Sequence, residues 1–448
     1  MTPSLLKQAA AAAIATLCTT GAALAAPAWI TIGGDAHAVL QKVAPNARTL
    51  ASTQVAVTVP VQRGGSQLKQ ASEAVHAVEV DDEMIPTLSL AVHRQLRKCG
   101  GFVQHESMAE ALATLHRLEN PDTTLLLLPS YAIDNPIQVN ALLPQLQASN
   151  LLSTITDLSA FQNRRYNSTH GVAASDWLRT KWLTLLPSRT QTGSRPRWRL
   201  KQITHTWAQK SVEFELIGTG NTGETLVLGA HLDSIAGSNI EARAPGADDD
   251  ASGVAGMTEI IRVLVANNFQ PKRNIRFIAY AAEEVGLLGS AAIATAAASR
   301  PDRVVGVMQL DMTAFKGSAQ DLWIYTDYTN AAQNQFLANL AAAYLPDLTV
   351  AYDACGYGCS DHASWHNRGY VASFPFEAAN SSYNFAIHTA NDTTATFGNQ
   401  ANHALKFTQL ALAWLVELAS DSTPAAAAAA AAAVAGAQPV PADRSAAR

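Results

Sequence analysis

Three short, almost uninterrupted apolar segments, 225–233, 274–284 and 304–312, limit what this chain can fold into. Such segments are typical of β-strands buried on both faces, as in a parallel sheet covered by helices. Between the first two, apolar residues recur at helical spacing over 252–268, where Ser252 is a candidate cap. The pattern predicts an α/β fold with a mostly parallel central sheet flanked by helices.

Each apolar segment ends in side chains that can carry chemistry. His231 and Asp233 end the first segment, Glu283 and Glu284 end the second, and Asp311 ends the third. In an open parallel sheet, ligands bind beyond the carboxyl ends of the strands. We therefore expect these side chains to meet in one site.

The aspartate triplet 248–250 adds negative charge to the same region. It could be a favourable helix N-terminus, but a carboxylate shared between two metal ions would also explain its density. His388 supplies a further imidazole. Two imidazoles and three carboxylates suit a pair of zinc ions. The five candidate ligands are His231, Asp249, Glu284, Asp311 and His388.

Two carboxylate pairs suggest a division of roles around such a centre. Glu283 and Glu284 are adjacent and point in different directions, so one can bind a metal while the other contacts a water as general base. Asp233 lies two residues after His231 in an extended segment. It could therefore hold the second ring nitrogen of that histidine.

The cysteine and histidine pairs near residue 360 do not form an evident metal site. Cys355 and Cys359 are an isolated pair, which in an oxidising compartment predicts a small disulfide loop. His362 and His366 have the spacing of a zincin helix but lack its glutamate. We interpret both histidines as structural or as supporting residues that contact metal ligands.

The first 25 residues are typical of a secretory signal. Lys7 precedes an apolar core at 9–17, and Ala-Leu-Ala at 23–25 fits a cleavage site; the alternative is a buried alanine-rich helix. No later stretch reaches the length of a membrane-spanning helix, so we expect a secreted protein, extracellular or periplasmic, without a membrane partner. With 31 Lys+Arg against 36 Asp+Glu and no long basic run, nucleic-acid binding is unsupported.

The chain divides into segments of different character. Residues 26–135 hold no catalytic cluster but enough strand and helix patterns for a small α/β unit, which we interpret as a propeptide; a permanent accessory domain is the alternative. Residues 136–420 carry all the motifs. The alanine-rich stretch 421–448 has no apolar face to bury, which predicts a disordered tail.

Six strings in order carry a family resemblance: GAHLDS, APGADDDASG, AAEEVGLLGS, LDM, CGYGCSDHASWHNRGY and IHTANDT. Over about 140–420 the chain resembles the bacterial leucyl aminopeptidase family, secreted exopeptidases of α/β fold with two zinc ions. The resemblance implies that Asp249 bridges both ions, with His231 and Asp311 completing one site and Glu284 and His388 the other.

The resemblance also implies the remaining roles. Glu283 would be the general base for attack by a metal-bound hydroxide, and Asp233 would orient His231. Tyr357, inside the loop 355–359, would contact the reacting carbonyl. The substrate would be the N-terminus of a peptide or protein, and we also expect an activating protease and a monomeric enzyme.

An apolar specificity pocket, favouring leucine-like or aromatic first residues, is implied as well. Its matching positions are Met312, Phe376, Tyr383 and Ile387. Asn380 departs from the aromatic residue found in relatives. Among the alternatives, a glutaminyl-cyclase-like enzyme would hold one zinc ion, a non-catalytic binding module would lack ligands, and a carboxypeptidase would need a basic cluster.

Overall fold

The computed structural model describes residues 26–98, 100–121, 127–186, 197–220, 222–422 and 424–427. The expected signal segment 1–25, Cys99 and most of the expected tail 421–448 lie outside these residues. Among the helices that are described, none combines the length and the apolar character needed to cross a membrane.

Residues 26–121, here called the N-terminal unit, are built on an antiparallel sheet with the strand order β2-β3-β1-β4. Its elements are β1 (Pro27–Gly33), α1 (Gly34–Val43), β2 (Arg48–Pro60), β3 (Leu68–Asp81), α2 (Ile85–Leu96), β4 (Phe102–His105) and α3 (Met108–Glu119). The unit is thus an α/β fold.

The sheet of the N-terminal unit buries both faces. Strand alternation places Ile30 and Ile32 on the face covered by α1 and α2, and Thr31 on the opposite face. The opposite face, here called the α3-side core, packs under α3. Its residues from the unit are Val55, Val57, Val75, Ala77, Val103, Ala111, Leu115 and Leu118.

A connecting segment follows the N-terminal unit and lies against the rest of the chain. Its strand β5 (Leu127–Leu128) pairs with β14 (Ala426–Ala427) at the other end of the chain. Tyr131 packs on Phe336 with ring centroids 5.0 Å apart, and the Glu417 carboxylate accepts the main-chain amide of Asn135 at 2.9 Å. Residues 128–135 are therefore anchored on the following domain.

Residues 136–420 form that domain around a mixed sheet. Its helices are α4 (Pro136–Leu142), α5 (Ala148–Ser159), α6 (Thr169–Thr184), α7 (Ala251–Ala266), α8 (Leu288–Ala297), α9 (Ala331–Tyr344), α10 (His362–His366) and α11 (Asn402–Ser420). Its strands are β6 (Arg197–Ile203), β7 (Ser211–Ile217), β8 (Glu224–His231), β9 (Asn274–Tyr280), β10 (Arg303–Gln309), β11 (Leu322–Tyr325), β12 (Val350–Asp353) and β13 (Ala372–Phe376).

Within the described residues the sheet order is β12-β11-β13-β10-β8-β9-β7-β6. The centre, β13-β10-β8-β9, is parallel, while β11, β7 and β6 each pair antiparallel with a neighbour. Both faces are covered: Leu226 and Leu228 pack with Trp414 of α11, whereas Val227 packs with Trp365 of α10. The prediction of a mostly parallel sheet flanked by helices is confirmed.

The expected cap of α7 is wrong by two residues. Asp250 is the N-cap, and its carboxylate accepts the Gly253 amide at 2.8 Å. Since α7 begins at Ala251, Ser252 lies inside the first turn. Its hydroxyl instead donates to the Asp248 carbonyl and accepts the Thr313 amide.

Candidate active site

The carboxyl ends of the parallel strands bring the predicted side chains together. His231 is the last residue of β8, the Glu283–Glu284 pair follows β9, and Asp311 follows β10. The segment after β13 brings His388 to the same edge. The α7 N-terminus contributes Asp249. His231, the glutamate pair and Asp311 thus lie at strand ends as expected, while Asp249 and His388 reach the same edge from a helix N-terminus and a loop.

The ligand atoms form two groups that share Asp249. In one, the His231 Nε2 lies 2.9 Å from Asp249 Oδ1 and 3.4 Å from Asp311 Oδ1. In the other, the His388 Nε2 lies 3.2 Å from Asp249 Oδ2 and 2.7 Å from Glu284 Oε2. Within each group all ligand atoms lie within 4.8 Å of one another.

The residues present fit metal ions in both groups. Glu284 Oε1, Asp311 Oδ1, Asp249 Oδ2 and the His388 Nε2 are buried and have no hydrogen bond of proper geometry, despite the short distances. A buried polar atom without a partner costs about 1–3 kcal/mol. Cations between these oxygen and nitrogen donors would satisfy all of them.

The charge distribution leads to the same conclusion. Burial, with the negative charge of Asp249, raises the pKa of Glu284 to about 7. Burial alone would lower the pKa of His388, yet Glu284 and Asp249 raise it to about 10. Burial would raise the pKa of Asp249, but the imidazoles of His231 and His388 hold it well below its usual value. The shifts thus reflect an excess of buried negative charge around the two imidazoles, which metal ions would balance.

The aspartates beside Asp249 are structural. Asp250 accepts the main-chain amide of His231 at 3.0 Å, in addition to capping α7. Asp248 accepts the main-chain amide of Ala314 at 2.9 Å. Both carboxylates are fully buried. Only the middle carboxylate of the triplet is left to contact both ligand groups.

Asp233 holds two parts of the site at once. Its main-chain carbonyl accepts the Nδ1–H of His231 at 3.1 Å, which leaves the Nε2 lone pair toward the ligand group. Its carboxylate lies 3.7 Å from the same Nδ1 and instead accepts the amides of Glu283 and Glu284 at 2.9 and 3.2 Å. Asp233 therefore orients the histidine with its main chain and the glutamate pair with its side chain.

Glu283 lies beside the ligand groups without belonging to either. Burial raises the pKa of its carboxyl well above the usual value, and the charges of Asp361 and Glu284 raise it further. Ala282 just before it has a φ of 60°, a left-handed conformation that is uncommon for alanine. Such strain is characteristic of functional sites.

Some supporting residues were missed by the sequence analysis. The Asp392 carboxylate accepts the amides of Asp248 and Asp249, both at 3.1 Å, and the Ser360 hydroxyl donates to Asp311 Oδ2 at 2.6 Å. Both residues lie inside strings that carried the family resemblance, which is the signal that could have found them.

Arg164 is the supporting residue that no sequence signal marks. Its fully buried guanidinium donates to the carbonyls of Leu232 and Gly246 at 2.7 and 2.9 Å. It thereby ties the end of β8 to the loop that precedes the aspartate triplet. Its positive charge also lies near the aspartates of the site.

Comparison with known proteins decides the family. Residues 215–413 match peptidase family M28. Leucine aminopeptidase 1 of Grosmannia clavigera is 33% identical over 305 residues, 65% of this chain and 72% of that protein. Its counterpart in Paracoccidioides brasiliensis is 30% identical over 297 residues, 64% of this chain and 75% of that protein.

This chain belongs to the leucine aminopeptidase family.

It is a metallo-aminopeptidase, and a solved relative extends the likeness to its N-terminal unit. The LapA aminopeptidase of Legionella pneumophila aligns with a TM-score of 0.72 and 27% identity, covering 89% of this chain and 100% of LapA. That share exceeds what residues 136–420 alone could provide. At 15% identity, the zinc aminopeptidase from Bacillus subtilis, with a TM-score of 0.50, shows only the shared fold of the catalytic domain.

The aminopeptidase has an apolar cavity next to the metal groups. Phe376 and Tyr383 line it, whereas Met312 and Ile387 belong to the same apolar cluster without lining the cavity. The complete lining is Lys98, Asp311, Tyr325, Cys355, Cys359, Phe374, Phe376, Asn380 and Tyr383. Its free volume is about 10 Å³, close to the space that one water needs.

The N-terminal unit of the aminopeptidase covers this part of the site. The ring of His93 lies 4.7 Å from that of His388, and the Arg97 guanidinium lies 4.7 Å above the ring of Phe385. Lys98, only 17% exposed, is the member of the cavity lining that comes from the N-terminal unit. A substrate side chain could not enter without displacing it.

The loop that carries the glutamate pair is held by the same unit. The Gln104 amide donates to the Gly286 carbonyl at 2.8 Å. Val285 packs in the core under α1 and α2, and Leu287 packs in the α3-side core. The catalytic domain and the N-terminal unit therefore share both cores.

The disulfide prediction is confirmed, and the loop that it closes contacts the N-terminal unit. Cys355 and Cys359 are bonded, and Tyr357 between them is buried in the α3-side core. The structure does not place Tyr357 in either ligand group. His362 stacks on Phe374 with centroids 4.6 Å apart. It also lies in a third group of possible ligand atoms with Cys355 and Cys359, but both sulfurs are used in the disulfide.

Proposed function

We propose that this aminopeptidase is exported, holds two zinc ions and removes leucine-like or other large apolar residues from the N-termini of peptides. One observation carries the proposal: Asp249 belongs to both ligand groups, with one oxygen directed to each. A carboxylate in that position is the natural bridge of a two-metal site. We expect the active enzyme to be a monomer.

The five ligands would hold the zinc ions, His231 and Asp311 on one side of Asp249, Glu284 and His388 on the other. Zinc ions in a two-metal site lower the pKa of a shared water and polarise a carbonyl oxygen.

Glu283 is the group that would move the proton. It lies beside the ligands, its Oε1 has no hydrogen bond, and burial raises its pKa, so it is well suited to accept a proton. It would take the proton from the attacking water and deliver it to the leaving amine. Asp233 keeps it in place through the main-chain amide.

The substrate would be bound at its first residue. Once Lys98 has left its lining, the apolar cavity beside Asp311 would receive the side chain of a large apolar residue. The free α-amino group would meet the carboxylates of the metal groups, which explains cleavage one residue from the N-terminus. Tyr357, if free to turn toward the site, would donate its hydroxyl to the oxyanion.

The N-terminal unit would be an inhibitory propeptide. The position of Lys98 in the cavity lining and of His93 against His388 supports this interpretation over a permanent accessory domain. An activating protease would cut before the anchored segment 128–135, because that segment contacts the catalytic domain. The mature enzyme would then begin near that segment.

Metal analysis of the purified chain, together with a panel of aminoacyl chromogenic amides before and after proteolytic activation, tests the proposal. We expect two zinc ions per chain, preference for leucyl and aromatic amides, no cleavage of N-acetylated leucyl amide, and little activity before activation. One zinc ion with cyclisation of N-terminal glutamine, or cleavage of the acetylated substrate, would contradict it.

A further inference from the structure

Tyr357 belongs to the catalytic domain but packs inside a core of the N-terminal unit. It is 2% exposed and packs in the α3-side core together with Leu287 and Ala363 of the catalytic domain. The ring of Tyr328 meets it edge to face, with centroids 5.1 Å apart. An aromatic ring buried in this way contributes to docking of the unit.

The hydroxyl of Tyr357 is held at the same time. It lies 2.6 Å from the hydroxyl of Thr31, in the middle of β1, and it accepts from the Asn367 amide at 3.1 Å. Thr31 is fully buried and also contacts the His105 ring at 2.8 Å. A hydroxyl with two buried partners is not available to a substrate.

Two carboxylates, one from each part of the chain, accept hydrogen bonds from the main-chain amides of the disulfide loop. Asp327, in the catalytic domain, accepts the amides of Cys355 and Gly356. Glu73, on β3 of the N-terminal unit, accepts the next amide, that of Tyr357, at 3.2 Å. The catalytic domain thus holds the start of the loop, and the N-terminal unit holds its centre.

The loop and the unit are in close contact at glycines on both sides. The amide of Gly101 donates to the Gly358 carbonyl at 3.0 Å. A Cβ at Gly100 would lie 2.3 Å from the same carbonyl oxygen, and one at Gly356 would lie 2.7 Å from the Lys98 Nζ. While the unit is docked, a turn of Tyr357 toward the ligand groups would break its bonds to Thr31 and Glu73.

We infer that the N-terminal unit regulates this aminopeptidase by holding Tyr357 in its own α3-side core, bonded to Thr31 and Glu73, so that release of the unit frees the residue that stabilises the oxyanion. The inference rests on the proposed function, which assigns that role to Tyr357. The inference goes beyond covering of the cavity, because the N-terminal unit would withhold a catalytic group as well as block the substrate.

Tyrosine nitration of the intact chain, followed by mapping of the modified peptides by mass spectrometry, tests the inference without measuring activity. In the intact wild-type chain we expect Tyr357 to stay unmodified. Thr31→Val keeps the shape but removes the hydroxyl and should raise nitration of Tyr357 about tenfold, roughly the factor that one hydrogen bond supplies. Thr31→Ser, which keeps the hydroxyl, should leave it unchanged.

Two tyrosines and one lysine provide matched controls. Tyr280 is fully buried in the catalytic domain and should stay protected in every variant, whereas the partly exposed Tyr370 should react in every variant. Lys98→Ala should open the cavity without changing nitration of Tyr357. After proteolytic removal of the unit, Tyr357 should become reactive, and the Thr31 variants should then have the same kcat and KM, because Thr31 leaves with the unit.

The outcomes separate the inference from the proposed function. Nitration of Tyr357 in the intact wild-type chain at the rate of Tyr370, or no response to Thr31→Val, would overturn the inference. The expected nitration pattern in a chain that never hydrolyses aminoacyl amides would support holding of Tyr357 but overturn the proposed function. An unchanged kcat of the activated Tyr357→Phe variant would show that Tyr357 does not act in catalysis, so that holding it could not regulate the enzyme.

Discussion

The two halves of the candidate active site are completed by different partners. In the metal half, the hydrogen bonds to the main chain around Asp249 come from the catalytic domain, and several ligand atoms have no hydrogen bond. In the Tyr357 half, the partners Thr31 and Glu73 belong to the N-terminal unit, as does Lys98 in the cavity lining. One half would be completed by metal ions, and the other is completed by the N-terminal unit.

This difference suggests that the two halves become functional in separate steps. Loading of metal ions depends on groups that the catalytic domain already presents in place. Release of Tyr357 depends on separation of the N-terminal unit from the catalytic domain, whose contacting residues lie far apart in sequence. Under the proposed function, the intact chain would bind its metal ions before activation and stay inactive until the N-terminal unit departs.

Substitution of Asp249, the ligand shared by both groups, should have the largest effect on metal content and activity. It should not change the surroundings of Tyr357. Asp249→Ala removes a ligand from both groups, so we expect loss of both metal ions and a fall in kcat/KM of roughly 10³-fold or more. Metal analysis and amide hydrolysis by activated enzyme measure this, with exposed Asp347→Ala as control. Retained metal would contradict the bridging role, and altered nitration of Tyr357 would contradict the separation of the halves.

Substitution of the base should affect rate without affecting metal. Glu283→Gln keeps the size of the side chain but cannot accept the proton, so kcat should fall about 10²–10⁴-fold while the metal content stays at the wild-type value. The matched variant Glu284→Gln, one residue along the chain, should lose metal as well. Activity of Glu283→Gln within a few-fold of wild type would show that another group is the base.

Opening the cavity should have a smaller effect, and only in the intact chain. Lys98→Ala removes the side chain that lies in the lining, so binding of a leucine-like inhibitor should tighten by about tenfold or less. The gain in affinity is limited because the ion pair that holds Lys98 to Asp35 contributes at most about 1 kcal/mol. Calorimetric titration measures it, with exposed Lys69→Ala as control. No gain in the intact chain would place Lys98 outside the blocking surface.

The metal half could be predicted from the sequence because its signals are local. His231, Glu284 and Asp311 each follow an apolar strand, and parallel strands place such residues at one edge. The cap at Asp250 was missed because a triplet of aspartates offers several candidate caps, and the position of the first helical residue decides among them.

The Tyr357 half could not be predicted from local patterns. The hydroxyl pair of Thr31 and Tyr357 spans 326 residues, and the contact of Glu73 with Tyr357 spans 284. Neither Thr31 nor Lys98 lies in a motif, and each is an ordinary residue of a small α/β unit. Only docking of that unit on the catalytic domain gives these side chains their position.

The smallest expected effect concerns the disulfide, and it should differ between the intact and the activated chain. Closing a loop of five residues contributes about 2 kcal/mol by the chain-entropy relation. In the intact chain Glu73 and Asp327 hold the loop as well, so a Cys355→Ser, Cys359→Ser double variant should keep nearly the wild-type Tm. In the activated enzyme Glu73 is gone, and the flanking Gly356 and Gly358, both with positive φ, leave the loop flexible. There kcat/KM for leucyl amides should fall several-fold. A large loss of Tm in the intact chain with unchanged kinetics after activation would show that the disulfide stabilises the fold and does not position Tyr357.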